Sequence, residues 1–405
     1  MVLLEDGEGR QGTARLAWGA RRRFRLDWTT ANIGNLEWLA RAGETGGRLY
    51  GVVAYDVGLP PKARRADPAI EQPLVDLFEP EHEVVVDLGV PGPVGVHGRG
   101  GARLCAPTGP CAPTGPCAPE LIDRSFDQPG FERAVTRIKD HIAAGDVYQV
   151  NLALAERFAV SCTPWDVYLR LRAINPSPWM GFADFGDWQL VSGSPELLVE
   201  VKSDGVRGRV VRARPIAGTR KKTGDAAVDA AMRAELSLDE KEQAEHRMLL
   251  DLARNDVGRV AAFGSMTVGE REVVEEYSHV FHLVSEVTGV MRADRRTWEA
   301  VPALFPGGTI TGAPKIRAME VIAELEPVAR GAYTGALGWI GADELQLNIL
   351  IRSAVMRDGR AAVQAGAGIV WDSDPAREWR ESLRKGVAMR AALGVEAGTR
   401  VGGVR

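Results

Sequence analysis

The sequence predicts an α+β fold, and three observations carry the prediction. Short apolar runs at residues 49–57, 84–88, 147–158 and 188–201 read as strands, the earliest of them separated by Gly and Pro turns. Helical periodicity runs through residues 131–144 and 237–262, and again after Pro314. A chain of 405 residues with 45% hydrophobic residues can bury a large core as one domain or two.

Residues 1–92 read as a β-rich N-terminal subregion and residues 93–125 as a linker. The linker holds two copies of Cys-Ala-Pro-Thr-Gly-Pro and the start of a third, and its prolines bar a helix or a central strand. Its cysteines, Cys105, Cys111 and Cys117, lack Cys-x-x-Cys spacing and have no histidine among them, so zinc is not expected. With Cys162 they are expected as free thiols in a reducing cytosol. Residues 126–395 make the main mixed domain. Its clearest helix spans residues 237–262, with Ser237 and Glu240 as a capping box and Leu249, Leu250 and Leu252 on the buried side. Pro314 opens a second helix that Pro327 closes, and a third starts near Asp374 and Pro375.

A net charge of -4 argues against wrapping nucleic acid or a membrane surface. No apolar stretch approaches the roughly 20 residues of a membrane span, and no signal segment is visible, so a cytoplasmic location is expected.

Two helices offer Glu at i and i+3, Glu242 with Glu245 and Glu378 with Glu381. If those helices face each other, four carboxylates suit a hard divalent cation such as magnesium. The alternative is a solvated face paired with Lys241, Arg247 or Lys385. The glycine-rich turn from Phe305 to Lys315 leads into a helix whose free N–H groups suit a carboxylate, but Ala313 stands where a phosphate loop needs Lys. Gly366-Ala-Gly368 fails the dinucleotide fingerprint at its third glycine. Pro215-Ile-Ala-Gly-Thr219 reads as a turn. His282 lies in an apolar segment, where a packed histidine is commoner than a catalyst.

Taken together, Pro215-Ile-Ala-Gly-Thr219, Glu242-Gln-Ala-Glu-His246 leading into Asp251-Leu-Ala-Arg-Asn-Asp256, Gly307-Gly-Thr-Ile-Thr-Gly-Ala-Pro-Lys315 and Gly366-Ala-Gly-Ile-Val-Trp-Asp-Ser373 resemble the chorismate-utilising enzymes. That family includes the large subunits of anthranilate and aminodeoxychorismate synthases and the isochorismate and salicylate synthases. The resemblance implies a β-sandwich core flanked by helices, with residues 126–395 as the chorismate-binding catalytic domain. It implies Mg2+ on the ring carboxylate, with Glu245 and Glu381 as direct ligands and Glu242 and Glu378 holding its waters. Tyr333, Arg352 and Lys385 would grip the second carboxylate, Arg352 with a planar fork. Gly218, Thr219, Thr309, Gly366 and Gly368 would line the pocket. Glu196 would be the general acid for the departing hydroxyl, and His282 would lie beside the ring.

The water-using members carry a lysine base where this chain has Gln149, so the resemblance implies ammonia as nucleophile. A separate glutamine amidotransferase subunit would supply it, because Cys162 lacks a glutaminase context. Tyr148-Gln-Val-Asn-Leu152, Gly307-Gly308, Tyr55-Asp56 and Leu347-Asn-Ile349 look like the branch making 4-amino-4-deoxychorismate for 4-aminobenzoate and folate. Ala217 looks like the anthranilate branch, since the former typically has lysine there. Leu3-Leu-Glu-Asp6 approximates the tryptophan-sensing Leu-Leu-Glu-Ser, with aspartate replacing serine.

Overall fold

The computed structural model describes residues 1–8, 11–26, 47–59, 73, 75–87, 117, 119–277 and 280–395. The linker hexamers headed by Cys105 and Cys111 lie outside them. Strands and helices are mixed, as expected. Among the described residues, 17 strands form one hydrogen-bonded sheet and three more form a second.

The large sheet is a single path. Gln149–Ala159 pairs with Arg360–Ile369, and the path continues through Ser353–Arg357 and Gln189–Ser194 to Trp179–Asp184. From there it passes through the N-terminal strands Val2–Glu8, Gln11–Leu26, Val75–Asp87 and Leu49–Val53. It then continues through Ala336–Ile340, Leu345–Ile349, Leu197–Asp204, Gly208–Ala213 and Val287–Val290. The strands expected as a separate β-rich subregion therefore bridge the two halves of the sheet. Continuous burial explains why: Leu49, Tyr50, Val52, Val53, Val75 and Leu77 are all at most 1% exposed, as residues on both faces of a covered strand must be.

Two neighbouring connections cross between the halves. Gln189–Ser194 continues through Pro195 and Glu196 into Leu197–Asp204, and Leu345–Ile349 continues through Leu350 to Arg352 into Ser353–Arg357. They are stitched together: Ile349 N donates to Glu196 O at 3.0 Å, Gly193 N to Arg352 O at 3.1 Å, and Ser194 Oγ to Ile349 O at 2.5 Å. Glu196 and Arg352 thus sit side by side where strands change halves.

Three local expectations are corrected. The long helix is two, Ala226–Leu238 and Glu240–Gly258, because Asp239 adopts an extended backbone and its carboxylate caps the N–H groups of Lys241 and Glu242, each at 3.1 Å. Ser237, expected as the cap, bonds back to Ala234 O instead. The linker ends earlier than residue 125, since Glu120–Arg124 is a strand on Gln149–Ala159 with Glu120 opposite Ala159. Extending that register by three residues sets Cys117 opposite Cys162, and the two form a disulfide rather than free thiols.

The other helices follow the sequence. Lys315–Leu325 starts after Pro314 and stops before Pro327, and Asp374 caps Pro375–Lys385 through Arg377 N at 2.7 Å. No helix among the described residues is long and apolar enough to cross a membrane.

Candidate active site

At one end of the site lies Glu196, 5% exposed. Its carboxylate accepts from Thr309 Oγ1 at 2.8 Å, from a turn that Gly307 and Gly308 let pack closely on Ile349 and Leu252. Burial pushes its pKa up to about 8, against the Thr309 hydroxyl, the Ile216 N–H and the Arg352 guanidinium, which all favour the anion. A cavity lined by Glu196, Thr309, Gly307, Gly308, Pro215 and Asp256 adjoins the carboxyl. A carboxylic acid held neutral at physiological pH can donate a proton there.

His282, on strand Val280–Val284, pairs with Thr219 on strand Ile216–Lys221. A bulge between Ala217 and Thr219 leaves Gly218 at φ +62, the left-handed region that glycine tolerates. That geometry turns the Gly218 carbonyl to His282 Nδ1 at 3.0 Å, with Thr219 Oγ1 at 3.1 Å. A carbonyl only accepts, so Nδ1 carries the proton and the buried Nε2, which has no partner among the described residues, is an acceptor. Burial lowers the His282 pKa to about 4, the Arg352 charge adding to it, so the ring is neutral.

The carboxylate end begins across Gly218, where a Cβ would stand 3.2 Å from Glu242 Oε2. Glu245 accepts from Gln149 Nε2 at 3.0 Å. Gly368 makes this possible, since a Cβ there would lie 2.3 Å from that nitrogen. Gly366 is equally constrained, a Cβ meeting Leu152 O at 2.5 Å. Burial first, then the Glu242 charge, raise the Glu245 pKa, while the Gln149 hydrogen bond, Lys385 and Lys241 oppose them. Glu242 is held by Arg220 at 3.2 Å, and Glu381 pairs with Arg384.

The structure thus groups Glu196, Thr309, Arg352, His282, Thr219 and Gly218, and next to them Glu242, Glu245, Gly368 and Lys385. Among the described residues no three acidic, His or Cys side chains stand close enough to hold a metal ion. The donor chemistry nonetheless fits a hard cation on the Glu242–Glu245 side, where two carboxylates repel one another. On the other helix Glu381 is turned onto Arg384, and among the described residues Glu378 joins no cluster of acidic side chains. The Arg352 guanidinium makes no ion pair or hydrogen bond among the described residues and stays a cation, although burial lowers its pKa. Its backbone adopts φ +52, an uncommon conformation for a non-glycine residue. Tyr333 is buried on a turn whose Thr334 N donates to Leu350 O at 2.7 Å, on the same crossover as Arg352.

Sequence reasoning passed over two supports. Lys315 donates to Asp256 at 2.6 Å, locking the glycine-rich turn onto the Glu240–Gly258 helix. Arg330, 2% exposed, pairs with Glu326 at 2.6 Å and reaches the Ile310 and Asn151 carbonyls.

The chain is 48% identical over 269 residues to aminodeoxychorismate synthase component 1 of Bacillus subtilis, covering 66% of this chain and 56% of that protein. It is also 48% identical over 270 residues to anthranilate synthase component 1 of Pseudomonas aeruginosa, covering 66% and 54%. The matches thus span little more than half the length of these curated relatives. The crystal structure of anthranilate synthase component I from Streptococcus pneumoniae superposes with a TM-score of 0.76 at 30% identity, covering 95% of this chain and 93% of that one. Residues 3–391 match the chorismate binding enzyme family, and the chain belongs to that family.

Proposed function

We propose that the protein aminates chorismate with ammonia, giving 4-amino-4-deoxychorismate, and that a glutamine amidotransferase subunit supplies the ammonia. The observation that carries an amination is Gln149. By the family resemblance it stands where the water-using members carry a lysine base, and its amide, bound to Glu245, cannot deprotonate water. Ammonia brings its own lone pair and needs no such base.

Glu196 protonates the departing ring hydroxyl, and its raised pKa keeps that proton available at neutral pH. Arg352 binds a substrate carboxylate, since among the described residues it makes no ion pair and only the Glu196 carboxyl acts on it from a distance. His282 accepts a hydrogen bond at Nε2 beside the ring, oriented through Gly218 O. Magnesium would be held by Glu242 and Glu245 with Glu378 and Glu381 and would supply positive charge for the ring carboxylate.

Ala217 favours a second reading, anthranilate formation. It is 8% exposed, faces the same strand pair as His282, and offers no amine for a covalent adduct. The relatives carry both names at equal identity. Incubating the protein with chorismate, magnesium and ammonium, with and without aminodeoxychorismate lyase, separates the two. 4-Aminobenzoate only with the lyase supports the first reading; anthranilate without it supports the second.

A further inference from the structure

We propose that the Cys117–Cys162 disulfide is a reversible redox latch on the C-terminal helices that carry Glu378, Glu381 and Lys385; its consequence for chorismate chemistry rests on the reading above. Cys162 follows the strand that starts at Gln149, and Cys117 precedes the strand that flanks it. Both residues are half-buried rather than sealed in the core.

The bond lies against the last of the described residues. Gly394 sits on Cys117 so closely that a Cβ would meet Cys117 O at 2.8 Å and its Cβ at 3.0 Å. Cys162 packs on the cluster containing Met389 and Ala392 of the helix Val387–Ala392 and Leu393 at its end. From that helix Arg390 donates to Leu383 O at 2.5 Å, inside Pro375–Lys385, and pairs with Glu156 at 2.6 Å. Glu156 in turn holds Arg124 at 2.8 Å, on the strand that Cys117 leads into. A continuous chain of contacts therefore runs from the disulfide to the helix of Glu378 and Glu381.

Oxidation requires a small-molecule disulfide. One cysteine thiolate attacks it to form a mixed disulfide, and the other displaces the second small thiol. The protein's two thiols lose two electrons and two protons, and the co-reactant leaves as two thiols. Reduction by a dithiol reverses this. The cross-link closes a loop with a sequence separation of 45, which restricts the unfolded chain and fixes Cys117 beside Gly394.

The test compares the full chain in dithiothreitol and in glutathione disulfide, with Cys117→Ser and Cys162→Ser as two separate controls. In the oxidised protein, non-reducing peptide mapping should find Cys117 joined to Cys162. Hydrogen exchange in peptides covering residues 375–395 should be slower than in the reduced protein, and the melting temperature higher by at least about 3 °C. Both serine variants should behave as the reduced protein in either buffer. Identical exchange in the two buffers, free thiols in glutathione disulfide, or pairing of Cys162 with Cys105 or Cys111 would each overturn the latch. Exchange is read without substrate, so a protein that leaves chorismate untouched still tests the latch and fails only the functional reading.

Discussion

The two ends of the pocket are finished to different degrees. Around Glu196 the chain completes its own chemistry: the acid is buried, hydrogen-bonded to Thr309, and anchored where two strand crossovers are stitched together. Around Glu245 the chain leaves negative charge in excess. Glu242 and Glu245 repel, and Glu242 and Glu381 are drawn to arginines, while Glu245 has only a neutral amide and more distant lysines. The difference teaches that a proton can be stored by burial alone, whereas an anionic cluster awaits a cation brought from outside.

The largest test of this contrast is Glu196→Gln. It keeps the shape and an acceptor for Thr309 but removes the proton, so ammonia-dependent turnover should fall about 10²–10⁴-fold with the fold retained, as read by steady-state kinetics and circular dichroism. Near-normal turnover would break the comparison at its finished end.

At the unfinished end, Glu242→Gln should weaken magnesium activation by about 10–100-fold. The same variant should lose the rise in melting temperature that magnesium gives the parent protein. A variant with unchanged magnesium dependence would mean that the glutamates are only a charged helix face.

Arg352→Lys keeps the charge and loses the fork. Chorismate KM should rise about tenfold, the worth of one charged hydrogen bond, with a smaller change in kcat.

The smallest effect is on stability against pH, and its sign separates the two buried titratable groups. Glu196 has a folded pKa of about 8 against 4.5, so the native state holds the extra proton and stability is lost as pH rises through that window. His282 has a folded pKa of about 4 against 6.5, so its contribution is lost as pH falls through that window. Glu196→Gln should flatten the alkaline side of a denaturation series, and His282→Gln the acidic side.

Much of this was legible because local rules held. Proline and aspartate marked the starts of Lys315–Leu325 and Pro375–Lys385, and the glutamate spacing put Glu242 with Glu245 on one helix face. What escaped depends on distant pairing. Asp239 breaks the long helix through a cap that competes with Ser237 two residues away, and both are good capping residues in sequence. The disulfide follows from the register of Glu120 on Ala159, and register cannot be seen before the strands are paired. The bridging role of the N-terminal strands was hidden for the same reason. That Gln149 would touch Glu245 depended on Gly368, a glycine that sequence reading took for pocket lining.

The account turns on a proton stored on Glu196, and infrared titration of the protein minus that of Glu196→Gln measures it directly. The difference should show a carboxylic-acid carbonyl band that persists through neutral pH and disappears near pH 8. A band already lost in the ordinary carboxylate range, or no band at all, would contradict the claim that Glu196 is the acid.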